Sequence, residues 1–444
     1  MSLGMDNLTG RALRAPSVPA PGTLRLRPVA EGMHLLVIKA LVLALICLNV
    51  ANGAIYQIQL LYTGNTAPIT GVYAKGALLF LLIAGILLGG SIRKSSLWTV
   101  ILLFLVFLVL HATYSYFMRG RQMLDILQGY NVYYFGYFLL ACIDSQKLEI
   151  RDGALEGTLI VLFLICAGFG IAQYITQEPL LFTESADDNF KVVVWQNIAY
   201  IRTFSLFLSP GEFGAFCSFV VAFATALLVQ ARDSMKRLVW FLLLGLALFS
   251  CYTTATRAQF VAAASALLSA YILASGRLKF LSHWLPLVSA GIGLAAAAYA
   301  YYRSITVGVT FAMDNAESFA GRLDNWRYYL SELTAGSGWN ALLGYGLAQN
   351  DKIKQQTLLP PDSLYFAVIL HIGVVGLILF FAVIWSLWQR SRRQAVETAS
   401  PLAIAAAAMI ATIFGAGIFT INFHIIPSFV YFAFFLRSRS RVVT

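Results

Sequence analysis

Four short stretches of this chain place ionisable residues beside long apolar runs, in an arrangement suited to chemistry on an anionic lipid. Arg202 in "YIRTFSLFLSPGEFG", Arg257 in "YTTATRAQF" and Arg322 in "GRLDNWRYYL" are cations whose guanidinium forks match phosphate oxygens. Asp362 in "LLPPDSLYF" is a carboxylate at the threshold of an apolar run. It could accept a proton from a hydroxyl group, or it could simply cap a helix. Ionisable groups at membrane spans are functional candidates by default.

The composition shows what kind of scaffold must position these residues. The 444 residues are 59% hydrophobic and 11% charged, with a mean hydropathy of +0.76. A soluble domain carries about 25% charged residues, so this chain is an integral membrane protein. The five cysteines lie in apolar segments without CxxC spacing, which predicts no disulfide framework and no metal site. No cofactor is expected.

Apolar runs long enough to cross a bilayer predict an all-α membrane protein with about twelve transmembrane helices. Each crossing needs about 20 apolar residues. The runs lie at 34–51, 73–92, 96–117, 126–143, 154–175, 206–230, 237–253, 257–275, 282–302, 362–388, 399–417 and 420–436.

The distribution of Lys and Arg predicts the orientation of these spans. With a cytoplasmic N-terminus, most of the 31 cations fall in inner loops, and every inner loop carries at least two. Both termini and the Arg-rich loop 389–398 are therefore predicted to be cytoplasmic. The net charge of +11 reflects topology, so no nucleic-acid partner is expected.

The predicted organisation follows from these spans and charges. It comprises a disordered cytoplasmic tail (1–33), helices one to nine (34–302), a large outer loop (303–361), helices ten to twelve (362–436) and a cytoplasmic tail (437–444).

Two outer segments, 176–205 and 303–361, are too long to be simple turns. Inside the second, "AMDNAESFAGRLDNWRYYLSEL" has helical apolar spacing. It predicts an amphipathic helix lying against the outer membrane face, with an apolar side formed by Phe319, Leu323, Trp326 and Leu330.

The order of motifs resembles that of the O-antigen ligase and Wzy-type polysaccharide polymerase superfamily. The similar features are an Arg-x(7)-Pro segment, "TRAQ", "GRLDNW", "LLGYGLAQN" and "DSLYFAVILHIGVVG", with the sharpest likeness between residues 321 and 376. The resemblance implies a GT-C-type glycosyltransferase fold with a large periplasmic loop between helices nine and ten. It also implies a metal-independent, inverting enzyme of the bacterial inner membrane, whose active site faces the periplasm.

The resemblance assigns roles to the four residues. Its donor would be an undecaprenyl-diphosphate-linked oligosaccharide, with Arg202, Arg257 and Arg322 binding the diphosphate and Asp362 as the catalytic proton acceptor. Chain-length or export proteins are possible partners beside membrane lipid. Ligases of the family carry His followed by Asn or Ser where this chain has Asp362–Ser363, which favours a polymerase over a ligase.

Other functions and plainer structural roles stay open at this stage. A ligase that transfers glycan to lipid A-core or protein is one alternative, and a lipid-linked glycan transporter or flippase is another. A transporter is expected to show mid-membrane ionisable residues and paired broken helices, and acids are nearly absent from these spans. Glu212 fits a capping box after Ser209, Arg327 can pair with Asp324, and His371 suits a packed core position.

Overall fold

The computed structural model describes residues 27–63, 96–119, 152–180, 198–276, 278–306, 338–346 and 363–420. It also describes shorter stretches at 76–78, 80–81, 83–84, 126, 129, 134, 136–140, 192–195, 324, 326–331 and 333–334. Long helices dominate these residues, and one β-hairpin is present.

The helices are α1 (Arg27–Val50), α2 (Asn52–Thr63), α3 (Ser96–Arg119), α4 (Asp152–Thr176), α5 (Pro210–Gln230), α6 (Ser234–Thr253), α7 (Arg257–Ser275), α8 (Leu285–Thr306), α9 (Gly338–Leu343), α10 (Leu364–Thr398) and α11 (Pro401–Ala416).

Seven helices of the described part are long and apolar enough to cross a membrane, which supports a multi-pass helical membrane protein. They are α3, α4, α5, α6, α7, α8 and α10, and the shorter apolar helices at Leu36–Val50 and Pro401–Ala416 coincide with two further predicted spans. The predicted runs at 73–92 and 126–143 are described only in fragments, and the run at 420–436 lies almost wholly outside the described residues. The total of twelve therefore stays a prediction.

Helix α5 is the centre of the bundle. Every residue from Pro210 to Ala226 is buried, which is typical of a helix that is apolar all round. It packs against α6, α7 and α11. The contacting faces of α7 and α11 are rich in alanine, and small residues let helix backbones approach closely within a membrane.

Long-range contacts define two ends of this bundle. At one end, the Gln230 side chain donates to Ala399 O, and Arg392 donates to Ser282 Oγ at 3.4 Å. We call this the basic end. At the other end, residues 202–203 meet residues 253–256, and residues 363–364 meet Gly417. We call this the site end.

Several element boundaries differ from the sequence prediction. Helix α1 begins at Arg27, inside the segment that was predicted to be a disordered tail up to residue 33, and residues 1–26 lie outside the described part. Helix α5 begins at Pro210 rather than 206, because residues 202–209 form an irregular buried segment. The predicted inner loop 389–398 is the helical end of α10. At about 1.5 Å per residue, this 35-residue helix is longer than a bilayer core is thick.

The outer segment 176–205 contains a small antiparallel β-hairpin. Strand β1 (Val192–Trp195) pairs with β2 (Ile198–Ile201), with Val192 opposite Ile201 and Trp195 opposite Ile198. Strand β2 ends one residue before Arg202, so the hairpin leads directly into the site end.

Helix α10 is broken at Gly373, where φ is 72° and ψ is −174°. The break leaves the carbonyls of Leu370 and His371 outside the helical ladder, and they accept hydrogen bonds from Tyr345 N at 2.6 Å and Gly346 N at 3.0 Å. The short helix α9 packs against α10 at this place. A segment of the large outer loop is thereby fixed between α10 and α3, where His111 Nε2 lies 2.7 Å from Leu343 O. His371 is buried, as predicted.

Candidate functional site

Arg202 is held against the connection between α6 and α7. Its Nε donates to Thr254 O at 3.3 Å, and its Nη2 donates to Thr256 Oγ1 at 2.7 Å. Arg202 is half-buried. Because both contacts are made along one edge of the planar guanidinium, they fix its orientation as well as its place.

Arg257 is the first residue of α7 and directly follows Thr256, the N-cap that Arg202 contacts. The first turn of α7 contains no acidic residue. A helix N-terminus carries a positive partial charge of about half an elementary charge, which favours anions and disfavours cations. An anion bound at this terminus would gain from the helix dipole and from a guanidinium within reach of it. The structure places Arg202 against the N-cap residue that directly precedes Arg257, so these two predicted residues belong to the same helix terminus.

The threonines of "TTAT" (253–256) use their hydroxyls for hydrogen bonds within the protein. Thr253 Oγ1 donates to Ser250 O and lies 2.8 Å from Thr203 Oγ1, and Thr254 Oγ1 donates to Cys251 O. Thr203 N also donates to Thr253 O at 3.2 Å. These bonds join the Arg202 segment to the α6–α7 connection.

Glu212 is a capping residue, as predicted. Ser209 is the N-cap of α5, and its Oγ accepts from Glu212 N at 3.2 Å. The Glu212 carboxylate reaches back and accepts from Leu208 N at 3.3 Å. The Ser209 hydroxyl thus satisfies one donor that the start of a helix leaves open, and the Glu212 carboxylate binds the backbone one residue before the cap.

Asp362 lies outside the described residues, but its successor is placed. Ser363 is the N-cap of α10, and its side chain makes no capping hydrogen bond, so the role of Asp362 stays a prediction. Ser363 Oγ donates to Gly417 O at 3.3 Å, and Leu364 N donates to the same oxygen at 2.9 Å.

A short chain of contacts connects the start of α10 to the start of α7. Gly417 lies just before Ile418 and Phe419, and these two residues pack in one apolar cluster with Ala258. Ala258 directly follows Arg257 in the first turn of α7. Ser363, which follows Asp362, and Ala258, which follows Arg257, are thus connected through residues 417–419 at the site end.

Arg322 also lies outside the described residues, although the helix that follows it is visible. Residues 324, 326–331, 333 and 334 are helical, which confirms a helix in this part of the loop; we call it the loop helix. Trp326 stacks on Phe366 of α10, and Tyr329 and Leu333 are buried in a cluster with Leu370.

The loop helix is buried on the side of Tyr329 and Leu333, whereas Leu330 of the predicted membrane-facing side is exposed. The contact of that side with the membrane stays a prediction. Phe319 and Leu323 lie outside the described residues. The predicted pair of Arg327 with Asp324 is present at 3.5 Å on the exposed side.

Two functional candidates were missed at the sequence level, Gln173 and Gln177. Both use their side-chain amides to bind the backbone around Arg202. The available signal was a pair of neutral polar residues four apart, in "AQYITQ", at the end of a long apolar run. Such a pair can bind a backbone segment that leaves the helical pattern near a membrane.

Comparison with models of known protein families and with curated proteins finds no match for this chain.

Proposed function

We propose that this chain is an inverting, metal-independent glycosyltransferase of the bacterial inner membrane. It polymerises undecaprenyl-diphosphate-linked oligosaccharide repeat units into a surface or secreted polysaccharide at the periplasmic face. The proposal includes a GT-C-type fold with about twelve spans and cytoplasmic termini. The single observation that carries it is the hydrogen bond from Arg202 to Thr256, the N-cap residue directly before Arg257 at the positive end of α7.

The chemistry needs a site where negative charge develops on a leaving diphosphate. The acceptor hydroxyl oxygen attacks the anomeric carbon, and the bond from that carbon to the diphosphate oxygen breaks. Undecaprenyl diphosphate leaves with the electron pair, and Asp362 takes the hydroxyl proton. Arg202, Arg257 and Arg322 stabilise the charge on the leaving group, which is most effective where the donors are already oriented.

The contacts of Arg202 support this role. Thr254 O and Thr256 Oγ1 orient its guanidinium before any substrate binds, so no reorganisation of the side chain is needed during the reaction. A diphosphate carries more charge than one guanidinium can neutralise, which accounts for a second arginine one residue beyond Thr256.

The motif departure at Asp362–Ser363 favours a polymerase over a ligase. A ligase would transfer the finished glycan to lipid A-core or protein, whereas a polymerase joins it to another lipid-linked repeat. The two activities share the same donor, so the acceptor distinguishes them.

The break in α10 is the observation that favours the alternative of a lipid-linked glycan transporter. Broken helices in transporters expose backbone carbonyls that bind ions or substrate. Here the carbonyls of Leu370 and His371 accept from Tyr345 N and Gly346 N, so the break serves to dock the outer loop. That use favours a fixed site at one face over alternating access.

A reconstituted assay tests the proposed function. The protein in proteoliposomes receives the lipid-linked oligosaccharide isolated from a strain lacking it, and the products are separated by size. We expect a ladder of polymer, nearly abolished by Arg202→Ala or Arg257→Ala and partly restored by Arg202→Lys, because Lys lacks the bidentate fork. Arg237→Ala is the matched control, since Arg237 also donates to a backbone carbonyl, that of Ala231, but at the basic end.

Other results of this assay would contradict the proposal. Glycan found only on added lipid A-core would identify a ligase. Lipid-linked substrate that crosses the bilayer without any change in glycan length would identify a transporter.

A further inference from the structure

The segment that carries Arg202 is irregular and buried, and its backbone needs partners from elsewhere in the protein. Thr203, Phe204, Ser205 and Phe207 are all buried, although they belong to neither a helix nor a strand. Buried backbone amides and carbonyls need hydrogen-bond partners within the protein, since water does not reach them.

Gln173 supplies several of these partners from the last turn of α4. Its Oε1 accepts from Phe204 N at 3.2 Å and from Ser205 N at 2.8 Å. Its Nε2 lies 3.4 Å from Ser205 O and 3.3 Å from Pro179 O. The side chain is fully buried, so both ends of the amide are used to hold backbone.

Gln177 holds the other side of Arg202. It follows the last residue of α4, and its Oε1 accepts from Ile201 N at 2.9 Å. Its Nε2 donates to Tyr174 O, which fixes the amide against the helix end. Two glutamines four residues apart thus bind the chain on both sides of Arg202.

The opposite side of the same segment is bonded to the α6–α7 connection through Thr203 and Thr253. Residues 201–205 are therefore held between the end of α4 and the connection from α6 to α7. With its backbone fixed from both sides, Arg202 reaches Thr254 and Thr256 beside the N-terminus of α7.

We propose that Gln173 and Gln177 are positioning residues, which place the Arg202 guanidinium for binding a lipid-linked diphosphate. The inference rests on the proposed function. A glutamine amide suits this task because it has an oxygen that accepts hydrogen bonds and an NH₂ group that donates them. It binds backbone N–H and C=O groups without adding a charge. A carboxylate here would attract the arginines and weaken their hold on an anion.

Binding of undecaprenyl diphosphate to the full-length protein in lipid nanodiscs tests the inference as a double-mutant cycle. The variants are Gln177→Met, Arg202→Ala and the double variant. We expect Gln177→Met to weaken binding by about tenfold when Arg202 is present and to add nothing when Arg202 is Ala, since coupled residues are not additive. Gln230→Met is the matched control, because Gln230 also binds a loop carbonyl, at the basic end, and its replacement should leave the affinity within about twofold.

A second substitution keeps the test decisive if Gln177→Met folds poorly. Position 177 has φ of 56°, a conformation that Asn tolerates well. Gln177→Asn is too short to reach Ile201 N and should weaken binding in the same way.

Each contrary outcome separates the two proposals. Equal weakening by Gln177→Met with and without Arg202 would show a packing effect and overturn the positioning role, as would unchanged affinity in both Gln177 variants. Unchanged affinity in Arg202→Ala would instead overturn the proposed function itself, and the positioning role with it.

Discussion

The indole of Trp326 stacks on the ring of Phe366, with ring centroids 5.0 Å apart and 20° between the ring planes. Trp326 belongs to the loop helix and Phe366 to the first turn of α10. Each ring follows one of the proposed site residues by four positions, Arg322 in the loop and Asp362 before α10. The stack therefore joins the two segments that would bring the third arginine and the carboxylate to the site end.

Replacing Trp326 by Ala should lower polymer formation without removing the protein from the membrane. An aromatic pair contributes about 0.5–1.5 kcal/mol beyond its buried area, and Ala removes that area as well, so docking of the loop helix would weaken by about tenfold or more. Trp326→Phe keeps a ring on Phe366 and should retain most activity. Polymer yield per amount of membrane-inserted protein is the measurement.

Trp339→Ala is the matched control for this change. Trp339 also lies in the outer loop, on α9, but it is 63% exposed. An equal loss in both variants would show that the Trp326–Phe366 stack has no special part in the reaction.

Alanine at Gly373 or Gly344 should destabilise the docking of the outer loop. A Cβ at Gly373 would lie 2.1 Å from Leu342 O, and one at Gly344 would lie 2.5 Å from Gly373 N. Both glycines have positive φ, which adds strain of about 1–3 kcal/mol for a residue with a side chain. The melting temperature of the purified protein should fall for both, whereas Gly338→Ala, with open space around it, should leave it unchanged. Normal melting of Gly373→Ala would mean that the loop is not docked at this break.

The membrane-spanning helices were predictable from the sequence because their backbone hydrogen bonds are made within each helix. A chain segment that crosses lipid must satisfy its own backbone, so a long apolar run specifies a helix such as α3 or α4 almost independently of its neighbours. The cap at Ser209 was equally local, since Pro210 and Glu212 complete it within one turn.

The features that depend on distant partners were not predictable in the same way. Arg202 and Thr256 are 54 residues apart, and nothing local to either indicates that they touch. The break in α10 was hidden because glycine is common in membrane helices, so Gly373 alone did not signal it. The burial of Tyr329 and Leu333 against Leu370 likewise depends on α10, a partner that the loop helix's own spacing does not reveal.

The topology prediction can be tested by cysteine labelling in intact cells. The background is Cys47→Ser with Cys142→Ser, because Cys47 is exposed and Cys142 lies outside the described residues, while Cys166, Cys217 and Cys251 are buried. Gly338→Cys should react with a membrane-impermeant maleimide, and Arg393→Cys should react only after permeabilisation, since cations are retained on the cytoplasmic side. The opposite pattern would invert the proposed orientation and place the site end in the cytoplasm.

The most decisive substitution is Asp362→Asn. Asn caps a helix about as well as Asp does, so replacing this carboxylate by an amide should cost less than the roughly 1 kcal/mol that a lost cap costs. A general base contributes on the order of a hundredfold or more to a reaction, and an amide cannot act as one. We therefore expect normal abundance with polymer formation reduced by about a hundredfold or more.

Asp362→His introduces the residue that ligases of the similar family carry at this position, and it should retain part of the activity. Asp324→Asn is the control, because Asp324 is an exposed acid of the same outer loop that pairs with Arg327. Initial rates in the proteoliposome assay, at equal amounts of inserted protein, separate these cases. A near-normal rate for Asp362→Asn would remove the carboxylate from the mechanism and leave the proton acceptor to another residue of the site end.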